Sequence, residues 1–215
     1  MGWTFSNNKP SDVTPVEYVT KECLDWKVSE AAKPKVVATA TGASGTIAMA
    51  VRFPKEFMAE RGMDFASPYI LEPDGSFTMA FVFLTKRAKG YYSFGYKDMT
   101  ETMGPYEGVS ASILPHLSAL DMMNGGQSAK WAQAWRARCV AFSEQRKAVS
   151  ASKAKLVPGV EVTLASPLKF RGGFLASTFK AEQIVRKGKK KMCFRASNGV
   201  LCSLRAADLA GATIG

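Results

Sequence analysis

The sequence predicts an α+β fold, an antiparallel meander sheet with helices packed on it, followed by a small SH3-like all-β barrel. Three observations indicate this arrangement. Segments with alternating apolar residues follow one another through the first half of the chain. From Leu156 onward only short strand-like segments occur, separated by turn pairs such as Asn198-Gly199. The balance of charge changes at nearly the same place.

The first element is a helix that begins at a capping box, Thr14-Pro15-Val16-Glu17, with proline at the first helical position. We expect it to end near Glu30. Apolar residues that would form its buried face recur at helical spacing: Val16, Val19, Cys23 and Trp26.

Strands and two further helices follow. The strands are expected at Lys35–Ala40, Thr46–Phe53, Ser76–Thr85 and Tyr91–Tyr96. The third of these is apolar at nearly every position, which predicts that both of its faces are covered. After Gly104-Pro105 we expect a short helix over Ile113–Met123 and a longer one from Ser128 to about Ala148.

A small, polar segment, Ser150–Lys155, is typical of a linker. The sequence therefore predicts an α+β domain of residues 1–150 and a basic SH3-like β module of residues 151–215. Asn198-Gly199 predicts a two-residue hairpin loop within that module.

The positive charge is concentrated in the second part. Of a formal net charge of +11, residues 1–150 contribute 17 Lys/Arg against 15 Asp/Glu, and residues 151–215 contribute 12 against 3. Such an excess in so small a module favours a polyanionic partner, DNA or RNA, or an acidic protein surface.

The densest cluster lies around Gly188, between two predicted strands. We expect phosphate contacts from the cluster and from three further residues of the module: Arg186, Lys187, Lys189, Lys190, Lys191, Lys169, Arg171 and Arg195. Like charges at this density repel one another unless an anion neutralises them, and a phosphate backbone does so. Such contacts carry little sequence specificity. The alternative is a solvated turn that is basic for solubility alone.

The sequence shows no pattern typical of a metal site, a secreted protein or a membrane protein. Four cysteines without a CxxC pair and one histidine do not supply a zinc ligand set, and we expect no metal or cofactor. The start of the chain lacks the features of a signal peptide, and no apolar stretch is long enough for a membrane span. We therefore expect a cytoplasmic protein without a membrane partner and make no prediction of its oligomeric state.

Two motifs carry a resemblance. Met1–Phe5 (MGWTF), and Phe94–Glu101 followed by Met103-Gly104-Pro105, resemble an uncharacterised family of proteins encoded by bacteriophages and mobile elements. The resemblance implies an accessory protein that acts in a bacterial host cell. It implies no activity.

The central motif contains four polar side chains: Tyr96, Lys97, Asp98 and Glu101. A carboxylate beside a lysine can bind a ligand or transfer a proton, which would make the motif a site. Alternatively, Asp98 accepts backbone N–H groups of a turn and the motif is structural. No nucleophile with an adjacent base is recognisable, so no catalytic residue is assigned.

Three functions remain. The first is a non-enzymatic accessory protein whose basic module contacts nucleic acid. The second is a phage-encoded protein that inhibits or redirects a host or defence complex, its basic module engaging an acidic protein or a nucleoprotein. An enzyme centred on Lys97, Asp98 and Glu101 ranks last.

Overall fold

The chain is α+β with antiparallel sheets, and its computed structural model divides into two compact units, Met1–Phe142 and Ser143–Gly215. The division lies within a long helix, α3 (Gly126–Ala154). The structure describes residues 4–6, 15–20, 27–42, 46–62, 66–84, 86–88, 91–96, 98–101, 103–104, 106–186 and 188–215. The side chains of residues 4–6, 15, 18, 86–99 and 186 lie outside this description.

Within its described residues, the first unit has seven strands in two antiparallel sheets. They are β1 (Thr4–Ser6), β2 (Lys35–Thr41), β3 (Thr46–Phe53), β4 (Phe77–Leu84), β5 (Lys86–Ala88), β6 (Tyr91–Tyr96) and β7 (Asp98–Thr100). One sheet has the order β2-β3-β4-β7 and the other the order β1-β6-β5. Three of the four predicted strands, β2, β3 and β4, therefore form the antiparallel meander, whereas the fourth, β6, lies in the second sheet.

The four-stranded sheet is covered on both faces, as the apolar sequence of β4 predicts. One face carries large side chains that pack with α2 (Lys55–Arg61), and the other carries small ones. Alanines at Ala48, Ala50 and Ala80 leave room for Trp135 and Cys139 of α3 to approach the strands. The small face of the sheet therefore sets the position of the first part of α3.

The first predicted helix is wrong in its extent. The structure has α1 at Pro15–Tyr18, and residues 27–29, which the prediction includes, are not helical. A 3₁₀ turn at Glu30–Ala32 follows, and it buries Ala32. The predicted helix over Ile113–Met123 is also shorter, a 3₁₀ helix over Ala111–His116 that ends at Pro115-His116. Thr14, Cys23 and Trp26 lie outside the described residues.

The second unit contains the end of α3 and a five-stranded antiparallel sheet of order β11-β10-β9-β8-β12. Its elements are β8 (Glu161–Lys169), β9 (Leu175–Arg186), β10 (Lys189–Ala196), β11 (Leu201–Cys202), α4 (Ala206–Leu209) and β12 (Thr213–Ile214). Among the described strands the sheet does not close into a barrel, because its two end strands, β11 and β12, do not pair with each other.

Two local predictions in this unit are wrong. Ser150–Lys155 is not an extended linker, since α3 continues through Ala154, and alanine and lysine are good helix formers. The loop at Asn198-Gly199 has three residues rather than two. The Ala196 and Val200 main chains pair at 2.9 Å, and Gly199 adopts a φ of 81°. A glycine in this left-handed conformation is typical of three-residue hairpins.

Candidate nucleic-acid interface

The basic cluster lies at the tip of the hairpin formed by β9 and β10. The register pairs Arg186 with Lys189, which leaves a two-residue loop. Its second residue, Gly188, has a φ of 72°, a conformation that glycine adopts without strain. Lys187 lies outside the described residues. The glycine therefore permits the tight reversal that brings the flanking cations together. We call Lys189, Lys190 and Lys191 the tip lysines.

The tip projects beyond the apolar core of its sheet. Core side chains such as Phe179 and Phe194 lie nearer the base of the hairpin. Val185, which pairs with Lys190, is 68% exposed, and all three tip lysines are exposed. These lysines are consequently free to contact a partner without disturbing the packed part of the sheet.

The tip lysines face no acidic residue directly across the hairpin. Their partners across the strands are Arg186, Val185 and Ile184. Among the residues that the structure describes, none of the tip lysines takes part in an ion pair. Cationic groups so close in register destabilise a hairpin, and an external anion would relieve that repulsion.

The predicted cations do not form a single cluster. Lys169 and Arg171 are exposed, but they lie at the turn that precedes β9, where Lys169 pairs with Leu175. The tip is at the other end of this 12-residue strand, roughly 35–40 Å away along the strand. The module thus presents two separate cationic ends.

Arg195 is neutralised within the sheet. Its Nε and Nη2 donate to the two carboxylate oxygens of Glu182 at 2.7 and 2.8 Å, and Nη1 donates to the Gly199 carbonyl at 2.9 Å. These hydrogen bonds from Arg195 lower the pKa of the Glu182 carboxyl and keep the pair ionised. Arg205 is paired with Asp208 in a similar way, at 3.0 Å.

The two pairs change the charge that remains available. Residues 151–215 contain three acidic residues, Glu161, Glu182 and Asp208, against 12 cationic ones. Since Arg195 and Arg205 engage two of the three, ten cations remain against Glu161 alone. These two arginines have acidic partners within the unit, whereas the tip lysines have no ion pair among the described residues.

The central motif is built around a buried carboxylate. Glu101 has no exposed side-chain area and accepts hydrogen bonds from Arg136 Nε and Nη2 at 2.7 and 3.1 Å. The Tyr69 hydroxyl donates to the same carboxylate. Arg136 Nη1 also donates to the Ser118 carbonyl at 3.0 Å. Glu101 therefore joins three separate parts of the first unit.

The neighbours of Glu101 are also largely buried. Burial and the Glu101 charge raise the pKa of the Tyr69 hydroxyl, so it remains a hydrogen-bond donor. Burial and the nearby charges of Glu101 and Glu107 raise the pKa of the Cys139 thiol to about 12. Neither group is poised to act as a nucleophile at neutral pH.

The turn after Glu101 is fixed by close contacts to the sheet and to α3. Trp135 Nε1 donates to the Gly104 carbonyl at 2.6 Å. A Cβ at Gly104 would lie 2.7 Å from Val82 Cγ2, so only glycine fits. The motif's Gly104 is thus explained by the packing of α3 against β4.

Of the four predicted residues of the central motif, the described part of the chain includes the side chain of Glu101 alone. Tyr96 ends β6 and Asp98 begins β7, where its main chain pairs with Phe83, while Glu101 is buried. Lys97 and the side chains of Tyr96 and Asp98 lie outside the described residues. Among the described residues, Glu101 connects the turn after β7 to Tyr69 and to α3.

Sequence reasoning missed Arg136, because a helical arginine is ordinarily exposed. In the structure its side chain is 19% exposed and bound to Glu101. The signal is present in the sequence, because Arg136 falls within the buried stripe of α3 at helical spacing: Ala129, Ala132, Trp135 and Cys139. An arginine in an apolar stripe predicts a buried acidic partner.

Comparison with known proteins gives a match to a family model. A family model described as a domain of unknown function, DUF6927, matches residues 126–207. No curated protein and no solved structure matches the chain. The matched range begins at α3 and continues into α4, and it excludes both MGWTF and the central motif. The similarity thus concerns the long helix and the basic sheet.

The matched range also contains the whole charge excess. Residues 126–207 carry 17 Lys/Arg and 3 Asp/Glu, a balance of +14, whereas the rest of the chain carries 12 and 15, a balance of −3. No described helix combines the length and apolarity needed to cross a bilayer.

Proposed function

We propose that this protein is a non-enzymatic binding protein that holds nucleic acid by its phosphate backbone, with little sequence specificity. The observation that carries the proposal is the set of tip lysines, exposed and without an acidic partner among the described residues. Each lysine that meets a phosphate releases condensed counterions, which makes binding favourable and dependent on salt.

The chemistry of the tip favours phosphate over base readout. Lysine is a flexible point charge, whereas specific base recognition uses rigid, bidentate groups such as arginine. Arg195 is held by Glu182 and is not assigned a phosphate contact. Lys169 and Arg171 are assigned a second, separate contact at the far end of β9.

The wider setting is part of the same proposal. We infer that the second unit functions as an SH3-like module and that the protein is a phage or mobile-element accessory protein in the cytoplasm of a bacterial host. The five-stranded sheet and the resemblance of the central motif support these inferences. Glu101 is committed to Tyr69 and Arg136, which argues against a proton-transfer role for it.

A charge-matched pair of variants tests the proposal. Lys189, Lys190 and Lys191 are replaced by Gln in one variant, and three exposed lysines of the first unit, Lys27, Lys35 and Lys55, in the other. Equilibrium binding of labelled random-sequence DNA and RNA is measured by fluorescence anisotropy at one moderate salt concentration. We expect the tip variant to lose at least about tenfold in affinity and the control to change little.

The control variant separates a specific contact from net charge, because both variants remove the same charge. Equal losses in the two variants would mean that only net charge matters, and unchanged affinity of the tip variant would overturn the proposal. Absence of any nucleic-acid binding by the natural chain would instead favour an acidic protein of the host as the partner.

A further inference from the structure

The first part of α3 carries a tryptophan at its surface. Trp131 is 56% exposed, while Trp135, one turn later, is 5% exposed and hydrogen-bonded to Gly104. Trp135 accounts for the packing of the helix on the sheet, so Trp131 is not needed for it. Tryptophan is among the residue types that are enriched at binding surfaces.

Other planar groups lie on the same side of the helix. Arg138 is two turns from Trp131, roughly 10 Å along the axis. The Arg138 guanidinium lies 5.8 Å from the centre of the Tyr106 ring, and Tyr106 meets Phe142 edge-on at 6.2 Å. We call Trp131, Arg138, Tyr106 and Phe142 the aromatic face. All four belong to the first unit.

The charge around the aromatic face is positive. Residues 126–142 contain Lys130, Arg136 and Arg138 and no acidic residue. Glu101 neutralises Arg136, which leaves Lys130 and Arg138, neither of them buried. One acidic residue, Glu107, follows Tyr106 in the sequence, so the two accessible cations outnumber it. The face therefore combines an exposed aromatic ring with accessible cations.

We propose that the aromatic face binds unpaired bases of single-stranded nucleic acid, with Trp131 as the stacking platform. This inference rests on the proposed function and names its substrate class. An exposed indole stacks on any unpaired base, and a nearby guanidinium adds a second planar, cationic surface. Bases within a duplex are already stacked on one another and cannot use the ring.

Three variants of the full chain test this inference. Trp131→Leu removes the ring and keeps apolar bulk, and Trp131→Phe restores a smaller ring. Val140→Ala is the matched control, since Val140 is 40% exposed and lies nine residues on, at the opposite side of the helix. Affinity for a labelled random-sequence single strand and for its duplex is measured for each variant.

Trp131→Leu is expected to weaken single-strand binding about 5- to 150-fold, which corresponds to the loss of one base–aromatic stack. Duplex binding should remain unchanged, Trp131→Phe should recover part of the loss, and Val140→Ala should match the natural chain. Equal losses for single strand and duplex would overturn the inference, because they indicate a general defect.

Unchanged single-strand affinity of the Trp131→Leu variant would also overturn the inference. If binding in that case still depended on the tip lysines, the proposed function would remain supported. If the natural chain binds no nucleic acid of either kind, both proposals are overturned. The two failures are therefore distinguishable.

Discussion

The buried ion pair of the first unit and the basic tip of the second differ in whether their charges are paired. Glu101 and Arg136 form a two-point contact among apolar residues, and Tyr69 and Ser118 occupy further hydrogen-bonding positions. The tip lysines are exposed, and the residues that pair with them across the hairpin include no acid. Within the described part of the chain, one set of charges is satisfied by the fold and the other is not.

The difference separates architecture from binding. A buried charge must be paired internally, because removing it from water costs several kcal/mol. An exposed charge carries no such cost, so a local excess of one sign persists only where it is tolerated or used. We therefore expect the two sets to respond oppositely to mutation: stability depends on Glu101 and Arg136, and binding depends on the tip lysines.

The largest effect on stability is expected for Arg136→Met. The substitution leaves the Glu101 carboxylate buried without its counter-charge, which costs about 3–5 kcal/mol. Urea unfolding followed by tryptophan fluorescence measures the loss. Arg138→Met, in the same helix, is the control and should cost no more than about 1 kcal/mol, the value of an exposed cation–π contact such as that with Tyr106. Similar values for the two variants would contradict the architectural role of the pair.

A smaller loss is expected when both partners are replaced. Glu101→Leu combined with Arg136→Met removes the two charges together and leaves the Tyr69 hydroxyl without its acceptor, a cost of about 1–3 kcal/mol. The same unfolding measurement should show the double variant to be more stable than Arg136→Met alone. Additive losses from the two single variants would mean that the residues are not coupled.

The tip is expected to contribute almost nothing to stability. Replacing the three tip lysines by Gln changes little apolar burial and removes mutual repulsion, so the free energy of unfolding should stay within about 0.5 kcal/mol or rise slightly. Thermal unfolding with and without salt checks this. A clear loss of stability would indicate that the tip is structural.

The smallest effect on nucleic-acid binding is expected when Arg195, in the same hairpin, is replaced together with its partner. Glu182→Gln combined with Arg195→Gln leaves the net charge unchanged and removes a pair that is already neutral. Affinity for random-sequence nucleic acid should change by no more than about twofold, since Arg195 is not assigned to any phosphate. A loss of affinity as large as that of the tip variant would indicate that Arg195 contacts nucleic acid.

The sequence predicts the strands well and the interactions between distant elements poorly. β3 and β6 have the predicted bounds, because alternating apolar residues and turn signals are local. The partner of Glu101 is not local, since Arg136 lies 35 residues further along the chain. Such a pair is determined by how α3 packs on the sheet, and periodicity alone does not give that packing.

The sequence predicts which residues make the second unit basic, but it predicts only part of where these residues lie relative to one another. The run of lysines around a glycine identifies the tip directly. Lys169 and Arg171 belong to the same basic module in sequence, but a long strand holds them apart from the tip. Arg195 matches the cluster by charge alone, and its pairing with the diagonal neighbour Glu182 depends on the register of the strands.

The salt dependence of binding tests the central claim most directly. The logarithm of the association constant for random-sequence nucleic acid is measured against the logarithm of salt concentration for the natural chain, the tip variant and the Lys27/Lys35/Lys55 control. We expect the slope for the tip variant to be shallower by about 0.7–0.9 for each phosphate that the variant no longer neutralises, and the control to keep the natural slope. Equal slopes for all three proteins would contradict the claim that the tip lysines contact phosphate.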